Sequence, residues 1–306
     1  MILTVTLNAA LDVTYRVPRL EPHTTHRVRE AAQRPGGKGL NVARVLAALG
    51  HDTTVTGLVG GRTGDALRAL LRAAAPGVAD ALVTVAGETR RTVAVVDGAS
   101  GDTTMFNEPG PVISSEEWAA FTGAYRELLA DARAVALCGS LPPGLPVGSY
   151  AELVRTARAA GVYVLLDTSG EALRRGIAAR PDAVKPNSGE LAQLTGLTEP
   201  LRAAQEARRR GARAVVASGG AEGMLAVTER GAWQAAPPKR LSGNPTGAGD
   251  SAVAGLLSAT VEGLPWPQRL ARAVALSAAT VLAPTAGEFD RAGYEALLPQ
   301  VTVTEQ

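Results

Sequence analysis

Short apolar segments alternate with longer segments of helical period along most of the chain. Apolar runs at 2–7, 53–59, 134–138, 162–167 and 214–218 predict buried strands. Helical patterns cover about 39–49, 64–74, 116–130, 148–160, 201–210, 248–262 and 267–282. This alternation predicts an α/β fold with a mostly parallel central sheet that is covered by helices on both faces.

Two segments, near 13–31 and near 92–106, interrupt this rhythm. Both alternate apolar and polar residues, as Val13, Tyr15 and Val17 show, and this is typical of strands with one solvated face. We interpret them as a small antiparallel β lid built from two insertions into a single domain that spans 1–306. Such strands would expose an apolar face, so we expect a homodimer paired through the lids.

The composition excludes several function classes. The 306 residues are 46% hydrophobic, and 31 basic against 29 acidic residues leave a net charge of +2 without blocks of like charge. This balance argues against a general nucleic-acid or membrane-surface binder. With one cysteine, Cys138, and no leader-like or membrane-spanning run, we expect a cytoplasmic protein. The three histidines lack metal-ligand spacing.

The predicted strands end in glycine-rich, polar loops. These loops cover 8–12, 60–65, 139–144, 167–171 and 218–223. In open α/β sheets, ligands bind in the crevice beyond the carboxyl ends of the strands. We therefore expect the loops to converge on a binding site under the lid.

The strongest local signal is the segment 244–251, Asn-Pro-Thr-Gly-Ala-Gly-Asp-Ser, which precedes an apolar helical pattern. The free N–H groups of such a turn and the helix dipole favour phosphate. An acid at Asp250 suggests a second task, accepting a proton from an attacking hydroxyl. The alternative is that Asp250 only caps the helix.

The loose pattern of Gly247, Gly249 and Ala252 also permits a nicotinamide-dependent dehydrogenase, although its late position in the chain does not fit a Rossmann fold.

Two further segments carry polar groups suited to ligands. In 34–43, the N–H groups of the glycines, the Lys38 ammonium and the Asn41 amide could hold sugar hydroxyls or a phosphate, unless this is a plain turn. Asp12 is a candidate acceptor for sugar hydroxyls, or a turn former. In 185–190, Asn187 and Glu190 could arrange water around Mg²⁺, or simply form a helix cap.

Taken together, these segments resemble the ribokinase family, in its phosphofructokinase B branch. The resemblance covers nearly the whole chain in the right order, and it includes 8–12, 87–90, 107–111, 139–144, 167–172 and 185–190. It implies a ribokinase-like fold and an ATP-dependent phosphosugar kinase. Within the family, these six segments are typical of kinases that act on phosphorylated ketohexoses.

The resemblance also implies roles for individual residues. Asp250 would be the catalytic base, beside the N–H groups of Gly247, Ala248 and Gly249. The sugar phosphate would contact Asp12, Arg27, Gly36, Gly37, Lys38, Asn41 and Arg90, and Cys138 stands where a substrate-contacting serine is common. ATP would lie along Ser218, Gly219, Gly220, Ala221, Glu222 and Gly223, with Lys185 and Asn187 near its phosphates and Glu190 and Asn187 holding Mg²⁺ through water.

The expected reaction is the phosphorylation of fructose 1-phosphate to fructose 1,6-bisphosphate. Tagatose 6-phosphate or fructose 6-phosphate is the alternative acceptor, and a catalytically silent sugar-phosphate sensor is a further alternative. The chain departs from the family pattern at Ala9, His26, Cys138 and Pro245. None of these changes removes the predicted base. They bear on which sugar is the acceptor, because the loss of one side chain that binds a sugar hydroxyl can greatly change how well an enzyme discriminates between sugars.

Overall fold

Strands and helices alternate through most of the chain in the computed structural model, which describes residues 1–28, 30–283 and 285–306. The strands in these residues are β1 (Ile2–Thr6), β2 (Ala10–Val17), β3 (Glu30–Gly36), β4 (Thr53–Gly60), β5 (Val78–Asp80), β6 (Val83–Val85), β7 (Arg90–Asp97), β8 (Thr103–Asn107), β9 (Ala134–Cys138), β10 (Tyr163–Asp167), β11 (Ala183–Val184), β12 (Val215–Ser218), β13 (Met224–Val227), β14 (Ala232–Ala236) and β15 (Thr302–Glu305). The α-helices are α1 (Lys38–Ala48), α2 (Gly61–Ala74), α3 (Ser115–Leu129), α4 (Ser149–Ala159), α5 (Gly170–Ala178), α6 (Ser188–Thr195), α7 (Pro200–Arg209), α8 (Ala248–Val261), α9 (Trp266–Val281) and α10 (Arg291–Leu297).

The larger sheet is parallel through its centre. Its order is β15-β14-β13-β12-β11-β10-β9-β1-β4-β5, with β6 also pairing with β4. β1 pairs in parallel with both β4 and β9, so that Leu3 lies between Thr54 and Val135. Within this larger sheet, the antiparallel pairs among the described strands are those from β12 to β15. The prediction of a mostly parallel central sheet is confirmed.

Helices cover both faces of this sheet, because the side chains of its strands alternate between two cores. From β9, Val135 and Leu137 pack on the side of α3 to α7, whereas Ala134 and Ala136 pack on the side of α1, α8 and α9. Burial of an aliphatic side chain contributes roughly 1.5–3 kcal/mol. The two-sided burial therefore explains why these strands are continuous apolar runs rather than alternating ones.

Helix α8 lies deep between α1, α9 and the sheet, which fixes its first turn. Its residues from Asp250 to Ala259 are all buried. At Gly255 an added Cβ would lie 2.8 Å from Cα of Ala273, so α8 and α9 pack with their backbones close together. The helix that carries Asp250 is therefore held rigidly in the core.

A second, smaller sheet lies over one end of the first and has the order β3-β2-β7-β8. The predicted second sheet is confirmed, and its outer pairs, β2 with β3 and β7 with β8, are antiparallel as expected. The central pair of β2 and β7 is parallel. This is because both strands leave the central sheet at the same edge and run outward side by side. Arg29, inside the predicted insertion 13–31, lies outside the described residues.

No helix within the described ranges is both long and apolar enough to cross a membrane.

Candidate active site

Neighbouring parallel strands end side by side beneath the small sheet. β1, β9 and β10 are in register at Thr6, Cys138 and Asp167, and Lys185 follows β11 directly. Asp167 is 1% exposed and Lys185 is 5% exposed. The crevice predicted at the carboxyl ends of the strands therefore exists, and its floor carries buried charged groups.

The turn that begins α8 places Asp250 at this floor. Gly247 adopts φ 85°, where a side chain would be strained, and a Cβ there would lie 2.9 Å from Cα of Ala286. Asp250 is the third residue of the helix, and no side chain caps the helix. Its carboxylate instead accepts a hydrogen bond of 2.8 Å from Nδ2 of Asn41. The alternative that Asp250 serves as a helix cap is therefore wrong.

Asp167 holds two ammonium groups beside this turn. Nζ of Lys38 lies 3.5 Å from its Oδ2, and Nζ of Lys185 lies 3.5 Å from its Oδ1, a contact that is an ion pair rather than a hydrogen bond. Nζ of Lys185 would be 3.3 Å from a Cβ on Gly249. Two cations thus border the Gly247–Gly249 turn. The N–H of Ala248 donates to the carbonyl oxygen of Pro245 at 3.1 Å, so the N–H groups of Gly247 and Gly249 are the ones in this turn that could meet an anion.

The environment of Asp250 changes its proton affinity. Burial is the main cause that raises its pKa to about 6, the Asp167 carboxylate adds to the rise, and the Asn41 hydrogen bond opposes it. Burial lowers the pKa of Lys38, but the carboxylates of Asp167 and Asp250 outweigh it and raise the pKa above its ordinary value. At neutral pH the floor therefore carries an ionised carboxylate that is close to its titration point, next to a firmly charged lysine.

The small sheet supplies the other wall of the crevice. Asp12 on β2 packs against Gly36, where an added Cβ would lie 2.1 Å from the carboxyl carbon. Burial raises the pKa of Asp12 to about 6, against the lowering effects of Arg90 and Arg44. The cavity between the two walls, of about 510 Å³, is lined by Asp12, Asn41 and the segment 243–246 among others.

Arg90 is fixed at the hinge between this wall and the central sheet. Its Nε donates to the carbonyl oxygen of Asn8 at 3.2 Å, and its Nη1 donates to that of Glu108 at 3.2 Å. The two residues just before it bind the backbone at the start of α2. The hydroxyl of Thr89 accepts from N–H of Gly60, and the carboxylate of Glu88 accepts from N–H of Thr63. The spacing of Gly-Glu-Thr-Arg at 87–90 thus serves to orient the guanidinium.

The glycine turn before α1 completes the acceptor side. Gly37 adopts φ 116°, and a Cβ there would lie 2.7 Å from the Thr6 methyl group. This conformation starts α1 so that Lys38 and Asn41, three residues apart, share one face of the helix and reach Asp167 and Asp250. The structure thus brings together Asp12, Gly36, Gly37, Lys38, Asn41, Arg90, Lys185, the Gly247–Gly249 turn and Asp250.

Two predicted sugar contacts are not brought to the crevice. Arg27 is exposed in the connection between β2 and β3, beyond the paired residues Arg16 and Glu30, at the far end of the hairpin from Asp12. Cys138 has no exposed surface, and its thiol lies in the core on the side of α8. Neither residue reaches the crevice of its own chain in this structure, because Arg27 is too distant and Cys138 is covered, so both sugar contacts stay predictions.

Asp167 has a part in the site that the sequence patterns do not assign to it. They place it at the end of a predicted strand and the start of a loop, whereas the structure makes it the common partner of two lysines. The available signal was an acid at the carboxyl end of a parallel strand, in line with the polar ends of the neighbouring strands.

The predicted nucleotide loop follows β12 and lies beside α6. Gly219 and Gly223 close a tight turn through a hydrogen bond of 2.9 Å, and a Cβ on Gly223 would lie 2.0 Å from the carbonyl oxygen of Ala235. The hydroxyl of Ser188, the first residue of α6, donates to the carbonyl oxygen of Ser218. The loop of Ser218, Gly219, Gly220, Ala221, Glu222 and Gly223 is therefore tied to the segment that carries Asn187.

Asn187 and Glu190 form a reciprocal cap on α6. Oδ1 of Asn187 accepts from N–H of Glu190 at 2.9 Å, and Oε2 of Glu190 accepts from N–H of Asn187 at 2.8 Å. Capping, the alternative considered from the sequence, therefore explains their spacing. In the described part of the chain no group of three or more His, Cys, Asp or Glu residues could hold a metal directly.

Comparison with known proteins decides the family. A family model, that of the pfkB family carbohydrate kinases, matches residues 3–291. The chain belongs to this family. The resemblance to the phosphofructokinase B branch is thereby confirmed. The Gly247–Gly249 turn is therefore a kinase motif, and the alternative of a nicotinamide-dependent dehydrogenase is dropped.

Individual relatives of this kinase include phosphosugar kinases. It is 41% identical over 291 residues to a 1-phosphofructokinase from Rhodobacter capsulatus, with 92% of each chain covered. Phosphofructokinase-2 from Escherichia coli, in a crystal structure with fructose-6-phosphate, is 31% identical with a TM-score of 0.89, and 98% of each chain is covered. Ribokinase of Arabidopsis thaliana, 24% identical over 97% of this chain and 98% of the other, has a TM-score of 0.74 and shows the shared fold alone.

The chemistry of this kinase follows from the family and from its site. It is an ATP-dependent sugar kinase. Phosphoryl transfer needs alignment and charge neutralisation more than covalent chemistry. The lysines, the N–H groups of the glycine turn and the carboxylate of Asp250 are the groups that could meet these needs.

Proposed function

We propose that this kinase transfers the γ-phosphoryl group of ATP to a hydroxyl of a ketohexose phosphate, and that the acceptor is fructose 1-phosphate. The observation that carries the proposal is the buried Asp250 carboxylate, with a pKa of about 6, hydrogen-bonded to Asn41 beside Lys38 and Lys185. A base with a pKa just below the working pH is deprotonated, yet still accepts a proton readily.

The proposed reaction is an in-line displacement. The sugar hydroxyl oxygen forms a bond to the γ-phosphorus while the bond between that phosphorus and the β,γ-bridging oxygen breaks. The hydroxyl proton passes to Asp250, and ADP leaves with the bridging oxygen. The N–H groups of Gly247 and Gly249, the N–H of Ala248 that is shared with the carbonyl oxygen of Pro245, and the ammonium of Lys185 stabilise the charge on the transferring group.

The nucleotide lies along the loop from Ser218 to Gly223 in this proposal. Mg²⁺ would neutralise the charge of the ATP phosphates when bound with the nucleotide. Asn187 and Glu190 fit a role through water, because the cap on α6 uses one carboxylate oxygen, Oε2, and leaves Oε1 outside it. Lys185 holds the phosphates of ATP in line with the acceptor.

The acceptor lies between the two walls of the crevice. Asp12 and Asn41 bind its hydroxyls, and Arg90 and Lys38 bind its phosphate. A charged phosphate gains most from such cations because charge-assisted hydrogen bonds are about twice as strong as neutral ones. The name of the Rhodobacter relative favours fructose 1-phosphate, whereas the complex of the Escherichia coli enzyme makes fructose 6-phosphate the alternative, with tagatose 6-phosphate.

The small sheet acts as a lid on a single domain in this proposal, and two copies pair through it in the cytoplasm. Its outer strand β8 is exposed along its whole length, with Met105 and Phe106 at 47% and 59% exposure. An apolar, unpaired edge of this kind is stabilised by pairing with a second copy.

A coupled assay of ADP release tests the function. Fructose 1-phosphate, fructose 6-phosphate, tagatose 6-phosphate, free fructose and ribose are compared, and we expect the largest kcat/KM for fructose 1-phosphate. Asp250→Asn should lower kcat by about 10²–10⁴ while ATP still binds. Asp131→Asn, in the exposed turn after α3, is the control. Turnover of unphosphorylated sugars alone would refute the phosphosugar assignment, and absence of turnover in the unaltered protein would favour a sensor.

A further inference from the structure

A second cavity lies at the opposite edge of the central sheet. Its walls include Tyr163, at the start of β10, and Ala214, just before β12. The same two strands end at Asp167 and Ser218 in the active site, four residues away in each case. At roughly 3.3 Å per residue, about 13 Å of strand therefore separates the two places. The cavity has a volume of about 660 Å³, which is within the usual range of small-molecule sites.

Aromatic side chains form the inner wall of this cavity. Trp233 on β14, Trp266 at the start of α9 and Tyr163 all line it, and all three are partly buried. The guanidinium of Arg269 lies 5.2 Å from the centre of the Trp266 ring, and its Nε donates to the carbonyl oxygen of Leu264. Arg269 therefore covers one face of the Trp266 ring and holds the ring in place, and stacking with a flat ligand is left to the other face.

The phenol of Tyr163 adds a polar group to this wall. Burial raises its pKa to about 12, so the hydroxyl keeps its proton at any physiological pH. The side chains of Thr260 and Arg269 share hydrogen bonds with this hydroxyl, so it helps to fix the wall of the cavity.

Charged groups form the rim of the same cavity. Arg213 is paired with Asp182 at 3.1 Å, and its side chain is still 59% exposed. Arg230 and Glu229 lie exposed in the turn between β13 and β14. The second oxygen of Asp182 is engaged by N–H of Val164 at 3.0 Å, which fixes the carboxylate that positions Arg213. The guanidinium groups of Arg213 and Arg230 and the carboxylate of Glu229 thus face the opening.

We propose that this cavity binds a nucleoside monophosphate. The base packs against Trp233 and Trp266, where aromatic stacking of a base contributes about 1–3 kcal/mol. Arg213 and Arg230 bind the phosphate in the bidentate manner that planar guanidinium groups favour. Glu229 accepts hydrogen bonds from the ribose hydroxyls. The combination of flat apolar surface, cations and an acceptor is what distinguishes this ligand class from a simple sugar phosphate or an inorganic anion.

Tryptophan fluorescence of the full-length protein tests the proposal directly. The chain has three tryptophans, and two of them line the cavity, whereas Trp118 lies on α3 and is hydrogen-bonded to Glu152. AMP and GMP are titrated in parallel with adenosine and inorganic phosphate. We expect a saturable change with the monophosphates below about 1 mM, and at least about tenfold weaker responses to adenosine and to phosphate. No saturable change with either monophosphate would overturn the proposal.

Paired variants locate the signal. Arg213→Gln with Arg230→Gln should weaken monophosphate binding by at least about tenfold, because both charge-assisted contacts are lost. The control is Arg174→Gln with Arg175→Gln on α5, which removes the same charge from exposed positions and should leave binding unchanged. Equal weakening in both pairs, or in neither, would contradict the assignment. Kinase turnover should be unchanged in both, so this outcome is independent of the proposed activity.

Discussion

Asp250 and Asp12 share an electrostatic property that links their chemistry to stability. Burial raises the pKa of each to about 6 from an ordinary value of 3.8. Between these two values the folded protein binds more protons than the unfolded chain, so the carboxylates favour folding most at low pH and lose this contribution as pH rises through about 6. A charge that a kinase needs at neutral pH is thus held at a cost in stability.

Removal of this charge should stabilise the protein at neutral pH. Asp250→Asn keeps the size of the side chain and abolishes its ionisation, so we expect the free energy of unfolding to rise by about 1–3 kcal/mol at pH 7.5. The gain should shrink as the pH is lowered and vanish near pH 4. Urea denaturation at several pH values measures this. Stabilisation that is independent of pH would mean that the pKa of Asp250 is not raised.

The activity should depend on pH in the opposite direction. A general base must be deprotonated, so kcat/KM for the acceptor, which reports the ionisation of the free enzyme, should fall as the pH drops through about 6, the pKa of Asp250, with a slope of about one decade per pH unit below it. Initial rates at acceptor concentrations well below KM between pH 5 and 8 provide the measurement. A kcat/KM that stays constant down to pH 5 would exclude Asp250 as the base.

At the scale of elements, the turn that starts α8 permits only glycine at its left-handed position. Gly247→Ala would strain the φ of 85° and place a Cβ 2.9 Å from Cα of Ala286, so we expect a loss of about 1–3 kcal/mol in stability and a large loss of kcat. Gly148→Ala is the control, because Gly148 has φ −86° and open space around its Cβ position at the start of α4. Urea midpoints and ADP release distinguish them. Similar behaviour of the two variants would show that the turn is not constrained.

The cap on α6 offers a way to separate a structural role from a metal role. Glu190→Gln can still accept from N–H of Asn187, so its stability should change by less than about 0.5–1 kcal/mol. If the carboxylate also orders water around Mg²⁺, the Mg²⁺ concentration for half-maximal activity should rise several-fold.

A second capping box supplies the control for this experiment. Glu117→Gln alters the matching box of Ser114 and Glu117 on α3, and it should leave the Mg²⁺ requirement unchanged. An unchanged Mg²⁺ requirement in Glu190→Gln would assign that residue to capping alone.

The elements that the sequence predicted correctly are those with long, uninterrupted patterns. The boundaries of α1, α3, α4, α8 and α9 agree to within one residue, because their apolar periodicity spans several turns. The patterns do not predict the short helices α5 and α10 or the strands β13 to β15, and they indicate α6 only through the possible cap of Asn187 and Glu190. In α5 the pattern starts inside a glycine-rich loop, at Gly170, and nine residues are too few to show a helical period clearly.

The site was predictable for a different reason. Asp12, Lys38, Asn41, Lys185 and Asp250 lie in motifs that are contiguous in the sequence, and the order of parallel strands brings these motifs together. Burial of individual side chains and distances along the lid were not predictable from motifs. This is why the motifs do not show that Cys138 is covered, that Arg27 lies far from the crevice of its own chain, or that Asp167 pairs with two lysines.

At the scale of the whole molecule, the fold leaves two distinct places for ligands at opposite ends of the same strands. The active-site end is covered by the small sheet, whereas the opposite end opens between β14 and α9 near Trp233 and Trp266. The strands that connect the ends, β10 and β12, are buried on both faces and held by parallel pairing. Changes at one end should therefore leave the folding of the other end intact, which allows the two sites to be tested separately.

The outer edge of the small sheet should decide the association state. Phe106 on β8 is 59% exposed, so we expect Phe106→Glu to oppose pairing of two lids by placing a charge in an apolar contact, and to give a monomer at micromolar concentration. The control, Val147→Glu, places the same charge at an apolar residue that is 51% exposed and lies before α4. Multi-angle light scattering after size-exclusion chromatography measures the mass. A monomeric unaltered protein, or a dimer that survives Phe106→Glu but not Val147→Glu, would place the interface elsewhere.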